Sequence, residues 1–136
     1  MKKIMIVDDN YLSAEGIEKN IDWETLNAEI IHVCYNGTSA IEAMKKEPAD
    51  LIISDIEMPD LDGISMSRQA LEINPMVKII LISAYDKFEY ARRALLLGAL
   101  DYIEKPLDYA YLIQKVKNAF ALMEKEQKNL QLLKQS

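Results

Sequence analysis

Three short, continuously apolar runs constrain the fold of this chain more than any other feature of its sequence. They are Ile4–Val7, Leu51–Ile53 and Ile79–Ile82. A strand that is apolar at every position is covered on both faces, which is the usual situation in a parallel sheet flanked by helices. The runs therefore predict the buried strands of such a sheet.

The segments between these runs complete an alternation of strands and helices. The predicted strands are 3–8, 29–34, 50–54, 77–82 and 100–103, and the predicted helices are 11–20, 38–47, 62–73, 87–97 and 108 to about 133. Asn36-Gly37 marks a turn before the second helix, Gly98 suits the end of the fourth, and Asp108 can cap the last. The five strand–helix units predict one doubly wound α/β domain with right-handed crossovers.

Net charge and the single cysteine and histidine argue against several classes of function. The net charge of −6, from 22 acidic and 16 basic residues, disfavours nucleic-acid binding by this domain, because such binding needs a basic patch. Cys34 and His32 share one predicted strand. One cysteine cannot form an internal disulfide, and a zinc site needs more nitrogen and sulfur ligands than these two residues supply. We expect structural roles for both.

The start of the chain resembles a secretory signal only superficially. Met1-Lys2-Lys3 is followed by the short run Ile4–Val7 and then by two aspartates. A secretory segment needs about 7–15 apolar residues, and a membrane helix needs roughly 20. The sequence therefore predicts a cytoplasmic protein with no membrane partner.

Charged residues follow several of the predicted strands. Asp8 and Asp9 follow the first, Asp55 the third and Lys105 the fifth. The carboxyl ends of parallel strands lie on one edge of a sheet, so these groups should meet there. Three gathered carboxylates repel one another and favour a hard divalent cation such as Mg²⁺. Each aspartate alone could instead cap a helix or turn, but together with the lysine they indicate a carboxylate that accepts a phosphoryl group.

The order of short motifs along the chain resembles the receiver domain of two-component response regulators. The motifs are Ile6-Val7-Asp8-Asp9, Ser54-Asp55-Ile56-Glu57-Met58-Pro59 with Asp62-Gly63, Ser83-Ala84, and Tyr102-Ile103-Glu104-Lys105-Pro106. The resemblance covers residues 2 to about 121. It implies a flavodoxin-like (βα)5 doubly wound sandwich whose five-stranded parallel sheet has the strand order 2-1-3-4-5.

The resemblance also implies a phosphoacceptor and a metal site. Asp55 would be the phosphoacceptor, attacking a phosphohistidine or a small phosphodonor in line. Mg²⁺, with Mn²⁺ as an alternative, would be held directly by Asp9, by Asp55 and by the main-chain carbonyl of Glu57, and largely through water by Asp8. The chain would then be a signalling switch that catalyses its own metal-dependent phosphorylation and slow autodephosphorylation, not a metabolic enzyme.

Further roles follow from the same resemblance for residues around the acceptor. Lys105 and Ser83 would each contact a phosphoryl oxygen, and the small Ala84 would leave room for the phosphodonor. Glu57 and Tyr85 would flank the attacking water and set the lifetime of the phosphoryl group.

The switch itself is assigned to an aromatic side chain on the fifth strand. Tyr102 would turn inward when Ser83 moves toward the phosphoryl group, changing the surface formed by the fourth helix, the fifth strand and the fifth helix. The alternative is a half-buried tyrosine with no switching role. The Lys105–Pro106 bond would be cis and would aim the lysine at Asp55; the alternative is an ordinary trans proline.

The last helix is longer than the domain needs. A heptad seam runs through Leu112, Val116, Ala119, Met123, Glu126, Leu130 and Leu133, with Glu126 breaking it. We assign 1–121 to the receiver domain and 122–136 to a helical extension with no sheet to pack on. The extension is either a solvated tail or the start of a coiled-coil linker to another domain or a second subunit.

Two finer segments resemble one receiver subgroup, which is usually joined to an AraC-type DNA-binding domain. They are Ile21-Asp22-Trp23 and the run from Ser83 to Ala91. The implied partners are a sensor histidine kinase, a second copy on phosphorylation, and DNA only through an effector domain outside this chain. A stand-alone adaptor that binds another protein is the alternative. An aspartate-nucleophile phosphatase is disfavoured, because such enzymes carry their acid pair after the first strand and need a substrate-capping element, whereas Asp55 and Glu57 follow the third predicted strand and no capping element is evident.

Overall fold

The computed structural model describes residues 1–84, 88–99 and 101–135, and in these ranges five strands alternate with five helices. The strands are β1 (Lys2–Val7), β2 (Ala28–Cys34), β3 (Leu51–Asp55), β4 (Lys78–Ser83) and β5 (Asp101–Glu104). The helices are α1 (Tyr11–Asn20), α2 (Gly37–Lys46), α3 (Gly63–Ile73), α4 (Phe88–Leu97) and α5 (Tyr109–Gln135). The predicted alternation of elements is confirmed, with ends displaced by one or two residues.

The strands form one parallel sheet in the order β2-β1-β3-β4-β5, which confirms the predicted doubly wound topology. Val7 of β1 is level with Ser54 of β3. Asp8 and Asp55 therefore leave the sheet side by side, each one residue farther along its strand. Asp55 is in turn level with Ile82, so Ser83 at the end of β4 lies on the same edge.

Alternate residues of the central strands fill two cores, one on each face of the sheet. Met5 and Val7 pack with residues of α2, α3 and α4, whereas Ile4 and Ile6 pack with residues of α1 and α5. All four are at most 1% exposed. Burying an aliphatic side chain of this size contributes about 1.5–3 kcal/mol, so both faces hold the sheet in place beneath the site.

Polar side chains begin several helices. Asp108 accepts hydrogen bonds from the backbone N–H groups at the start of α5, as predicted, and Asn36 and Asp62 do the same for α2 and α3. Asn10 caps α1 in the same way, although the sequence analysis did not single it out. Gly98 follows α4 with a φ of +92°, a conformation that favours glycine at a helix end.

Residues 122–136 are expected to have no sheet to pack on, yet the first turn of this segment contacts the domain. Met123 packs against the core shared by α1 and α5, and Glu126 Oε1 accepts a hydrogen bond of 2.8 Å from Lys78 Nζ at the start of β4. Glu126 interrupts the heptad because this position faces a lysine of the domain. Leu130 and Leu133 farther along are exposed.

None of the helices described in the structure combines the length and the apolar character that a bilayer span requires.

Candidate functional site

Three carboxylates lie together at the carboxyl edge of the sheet. Asp8 and Asp9 follow β1 and Asp55 ends β3, and one ligand oxygen from each lies within 4.8 Å of the other two. Asp8 and Asp55 are buried, with 3% and 8% of their surface exposed, while Asp9 is exposed. The structure thus brings together the three aspartates that the strand-end argument selected.

One lysine faces this group. Lys105 Nζ lies 3.4 Å from Asp8 Oδ2 and 3.6 Å from Asp55 Oδ2. Its backbone N–H donates to the Ser83 carbonyl, which fixes the end of β5 beside β4, and the expected cis bond between Lys105 and Pro106 is present. A single ammonium group therefore touches two of the three carboxylates.

The surroundings of Asp55 make its carboxyl group harder to ionise than that of an aspartate in water. Burial and the neighbouring charge of Asp8 raise the pKa of Asp55 from 3.8 to about 6; Lys105 opposes the rise and Asp9 adds to it. Three carboxylates facing one ammonium group carry excess negative charge when all are ionised. A cation bound among them would lower the free energy of the ionised state.

The donor atoms at this edge suit a hard cation. The three residues offer carboxylate oxygens, which Mg²⁺ and Mn²⁺ accept as ligands. The nitrogen and sulfur donors that zinc prefers belong elsewhere: His32 Nε2 lies 2.8 Å from the Glu47 carbonyl oxygen, and Cys34 is buried. Asp8, Asp9 and Asp55 therefore fit the metal expected from the sequence.

Gly63 lies directly against the backbone of Asp55 and Ile56. Its N–H donates to the Ile56 carbonyl at 2.7 Å, and a β-carbon at this position would overlap the Asp55 carbonyl oxygen. The Ile56 N–H donates to the Ile82 carbonyl of β4 at 3.0 Å. The Asp62-Gly63 motif therefore combines a helix cap with a close approach that only glycine permits.

Ser83 and Glu57 face each other beside the acidic group. The Ser83 hydroxyl, which is fully buried, donates to Glu57 Oε1 at 3.3 Å. Ala84 is exposed at the end of β4, and Tyr85 lies outside the described residues. Tyr102 is half-buried and packs against the core under α2, α3 and α4, so its predicted switching role stays a prediction.

One contact near the site was missed by the sequence analysis. The carboxylate of Asp60, in the loop between β3 and α3, accepts hydrogen bonds from Gly37 and Thr38 at the start of α2. No local pattern could reveal it, because 22 residues separate Asp60 from Thr38.

Comparisons with known proteins agree on one family. A family model described as the response regulator receiver domain matches residues 4–117. The chain is 29% identical over 126 residues to the uncharacterized transcriptional regulatory protein YesN of Bacillus subtilis, which covers 93% of this chain but 34% of that protein. The chain thus spans about a third of the length of this relative.

Two solved structures share both the fold and a substantial part of the sequence. The REC domain of AraT, a response regulator from Geobacillus stearothermophilus, is 34% identical with a TM-score of 0.87, covering 93% of this chain and 98% of that one. A two component transcriptional regulator AraC from Clostridium phytofermentans is 30% identical with a TM-score of 0.83, covering 95% and 99%.

Proposed function

Because this chain belongs to the response regulator receiver domain family, we propose that it is a phosphorylation switch whose acceptor is Asp55. The observation that carries the proposal is the group of Asp8, Asp9 and Asp55 facing the ammonium group of Lys105. The phosphoryl group comes from a sensor histidine kinase or a small phosphodonor such as acetyl phosphate.

The transfer makes one bond and breaks one. A carboxylate oxygen of Asp55 attacks phosphorus, the bond from phosphorus to the donor nitrogen or oxygen breaks, and an acyl phosphate on Asp55 results. With a pKa of about 6, Asp55 is mostly ionised at neutral pH and available as a nucleophile. Lys105 lies close enough to balance charge on the incoming group.

Mg²⁺, or Mn²⁺ in its place, would be held by Asp8, Asp9, Asp55 and the main-chain carbonyl of Glu57. Such an ion neutralises charge on the transferring oxygens, which is most of the catalysis that a phosphoryl transfer needs. The residues of the chain supply the nucleophile, the position of the ion and the second cation, Lys105.

The buried hydroxyl of Ser83 is placed to respond to the new group. It now donates to Glu57 and would instead donate to a phosphoryl oxygen on Asp55. Tyr102 would then turn inward and change the surface of α4, β5 and α5. Glu57 and Tyr85 would set the lifetime of the phosphoryl group, and Ala84 leaves room for the donor.

The switch would act on a second copy of the chain or on an attached effector domain. Two similar proteins are described as transcriptional regulators, and α5 extends past the core to Gln135. We infer that phosphorylation promotes pairing of two copies or releases an attached effector domain, and that any contact with DNA is made by that effector domain.

The test is intact mass after incubation with acetyl phosphate and Mg²⁺. We expect one phosphoryl adduct on the wild type, and none on Asp55→Asn or in the presence of EDTA. Asp22→Asn removes an exposed carboxylate outside the site and should leave the adduct unchanged. A folded wild type that gains neither a phosphoryl group nor a beryllofluoride adduct would contradict the proposal.

A further inference from the structure

The loop formed by residues 56–62, between β3 and α3, is attached to the sheet and to α3 at its two ends. The Ile56 N–H donates to the Ile82 carbonyl of β4 at 3.0 Å, and Asp62 caps α3 through the backbone N–H groups of Ile64 and Ser65. The loop carries Glu57, whose carbonyl is one of the proposed metal ligands. The position of that carbonyl therefore depends on how the middle of the loop is held.

The middle of the loop is held by the side chain of Asp60. Asp60 Oδ1 accepts from the Gly37 N–H at 3.3 Å, and Oδ2 accepts from the Thr38 N–H at 3.1 Å and from the Thr38 hydroxyl at 2.6 Å. Three donors from another element thus converge on one carboxylate.

These bonds complete the first turn of α2. A helix leaves its first four N–H groups without intrahelical partners. Asp60 accepts hydrogen bonds from the first two N–H groups of α2, those of Gly37 and Thr38, and the Asn36 side chain accepts one from the third, that of Ser39. The positive end of the helix dipole favours a carboxylate there, and the hydrogen bond from the Thr38 hydroxyl is the largest cause holding the pKa of Asp60 at about 2.

The backbone of the loop also lies against α2. A β-carbon on Gly37 would overlap the carbonyl oxygen of Leu61. Glycine at the first position of α2 therefore permits a close approach that brings Asp60 within reach of two backbone N–H groups. Substitution at either side of this contact would move the loop.

On the premise of the proposed function, we propose that Asp60 is a positioning residue for the metal site. By fastening the centre of the loop to α2, it places the Glu57 carbonyl before the ion arrives. Ordering a loop on binding costs conformational entropy, so a loop that is already ordered binds its ligand more tightly. Loss of the Asp60 contact should therefore weaken Mg²⁺ binding more than it changes the chemistry at Asp55.

The first experiment measures Mg²⁺ affinity by titration calorimetry, without any phosphodonor. Supporting residues around metal sites typically change affinity by about 10–100-fold, and because Asp60 acts through a backbone carbonyl we expect the lower end, about tenfold, for Asp60→Ala. Thr38→Val breaks the shortest of the three bonds without altering charge and should weaken binding in the same direction by a smaller factor. Because Thr38→Val keeps the charge of Asp60, it distinguishes an effect of loop position on Mg²⁺ affinity from an effect of losing one negative charge.

A matched control removes the cap of α2 without touching the loop. Asn36→Ala takes away the acceptor for Ser39, so it should lower thermal stability while leaving Mg²⁺ affinity unchanged. Amide hydrogen exchange of residues 56–62 in the metal-free protein should be faster in Asp60→Ala and Thr38→Val than in Asn36→Ala. These two readouts distinguish loop positioning from general destabilisation.

The kinetics give a third readout. In Asp60→Ala the Mg²⁺ concentration that gives half-maximal phosphorylation by acetyl phosphate should rise, while the rate at saturating Mg²⁺ should stay close to that of the wild type. Unchanged Mg²⁺ affinity and exchange in Thr38→Val and Asp60→Ala would overturn the inference. If Asp60→Ala does not fold, the Mg²⁺ affinity and the amide exchange of Thr38→Val are sufficient to test the inference. A wild type that binds Mg²⁺ but gains no adduct would contradict the proposed function instead.

Discussion

The two edges of the sheet differ in how far their charged side chains are paired within the chain. At the carboxyl edge, three carboxylates lie together, and among the described residues Lys105 forms ion pairs with two of them, Asp8 and Asp55. Two of these carboxylates are buried, and repulsion adds to the cost of burial. Among the described residues, the negative charge at the carboxyl edge therefore exceeds the positive charge, which is the condition that favours binding of a cation.

At the amino edge, groups of the chain itself contact the charged side chains. Lys78 Nζ lies 2.8 Å from Glu126 Oε1, and Asp50 Oδ2 accepts the Lys3 N–H at 2.8 Å. The Asp50 N–H in turn donates to the Lys3 carbonyl at 2.7 Å. The contacts at this edge lie within the chain and favour folding, whereas burial and repulsion at the other edge oppose it, as expected of a site that serves the proposed function.

Neutralising Asp55 tests this contrast with the largest expected effect. Because the pKa of Asp55 is raised from 3.8 to about 6, the folded protein binds this proton more tightly than the unfolded chain does. The effect of Asp55 on the free energy of unfolding is thus most favourable below pH 3.8 and becomes less favourable as the pH rises. Above about pH 6, where Asp55 is ionised in the folded protein, the full destabilisation applies. Without metal at pH 7, Asp55→Asn should raise the free energy of unfolding by about 1–3 kcal/mol.

Urea unfolding across pH 4 to 8 measures this effect. The wild type should lose stability relative to Asp55→Asn between about pH 4 and 6, and Mg²⁺ should stabilise the wild type more than the variant. Parallel pH profiles for the two proteins would show that the carboxyl edge carries no such penalty.

Breaking the ion pair at the amino edge should have a smaller effect of the opposite sign. The side chain of Lys78 is 15% exposed, and Glu126→Gln would leave its charge without an ionic partner. Glu126 Oε2 is itself buried without a hydrogen-bond partner among the described residues, which reduces what the pair contributes. We expect a loss of about 1–2 kcal/mol, measured by urea unfolding.

A double substitution serves as the control for that loss. Lys78→Met with Glu126→Leu removes both charges and keeps apolar volume, so it should recover most of the stability lost in Glu126→Gln. If Glu126→Gln is as stable as the wild type, the amino edge is not stabilised by this pair.

The smallest effect is expected away from both edges. Glu15 and Lys19 form an exposed ion pair one turn apart on α1, where water screens the charges. Glu15→Gln should leave the unfolding midpoint unchanged within error. If Glu15→Gln lowers the unfolding midpoint as much as Glu126→Gln does, the contribution of an ion pair to stability does not depend on its location at an edge of the sheet.

The sequence predicted the carboxyl edge better than the amino edge for a physical reason. Strands that are apolar throughout usually lie in a parallel sheet covered on both faces, and the residues after the strands of such a sheet meet at one edge, so Asp8, Asp55 and Lys105 could be grouped in advance. The pairing of Lys78 with Glu126 spans 48 residues and follows no such rule. A heptad pattern shows which face of a helix is apolar but does not identify the partner of a charged residue within that face.

The separation in sequence of Asp8 and Lys105, 97 positions, has a consequence for synthesis. A chain leaving the ribosome presents its three aspartates long before the lysine that faces them. Translation proceeds at about 5–20 residues per second, so the 50 residues between Asp55 and Lys105 take roughly 3–10 seconds. During that interval the nascent chain carries Asp55 without the ammonium group that faces it in the folded protein. The group of charged side chains at the carboxyl edge is thus completed only after Lys105, the residue that follows the last strand, has been added.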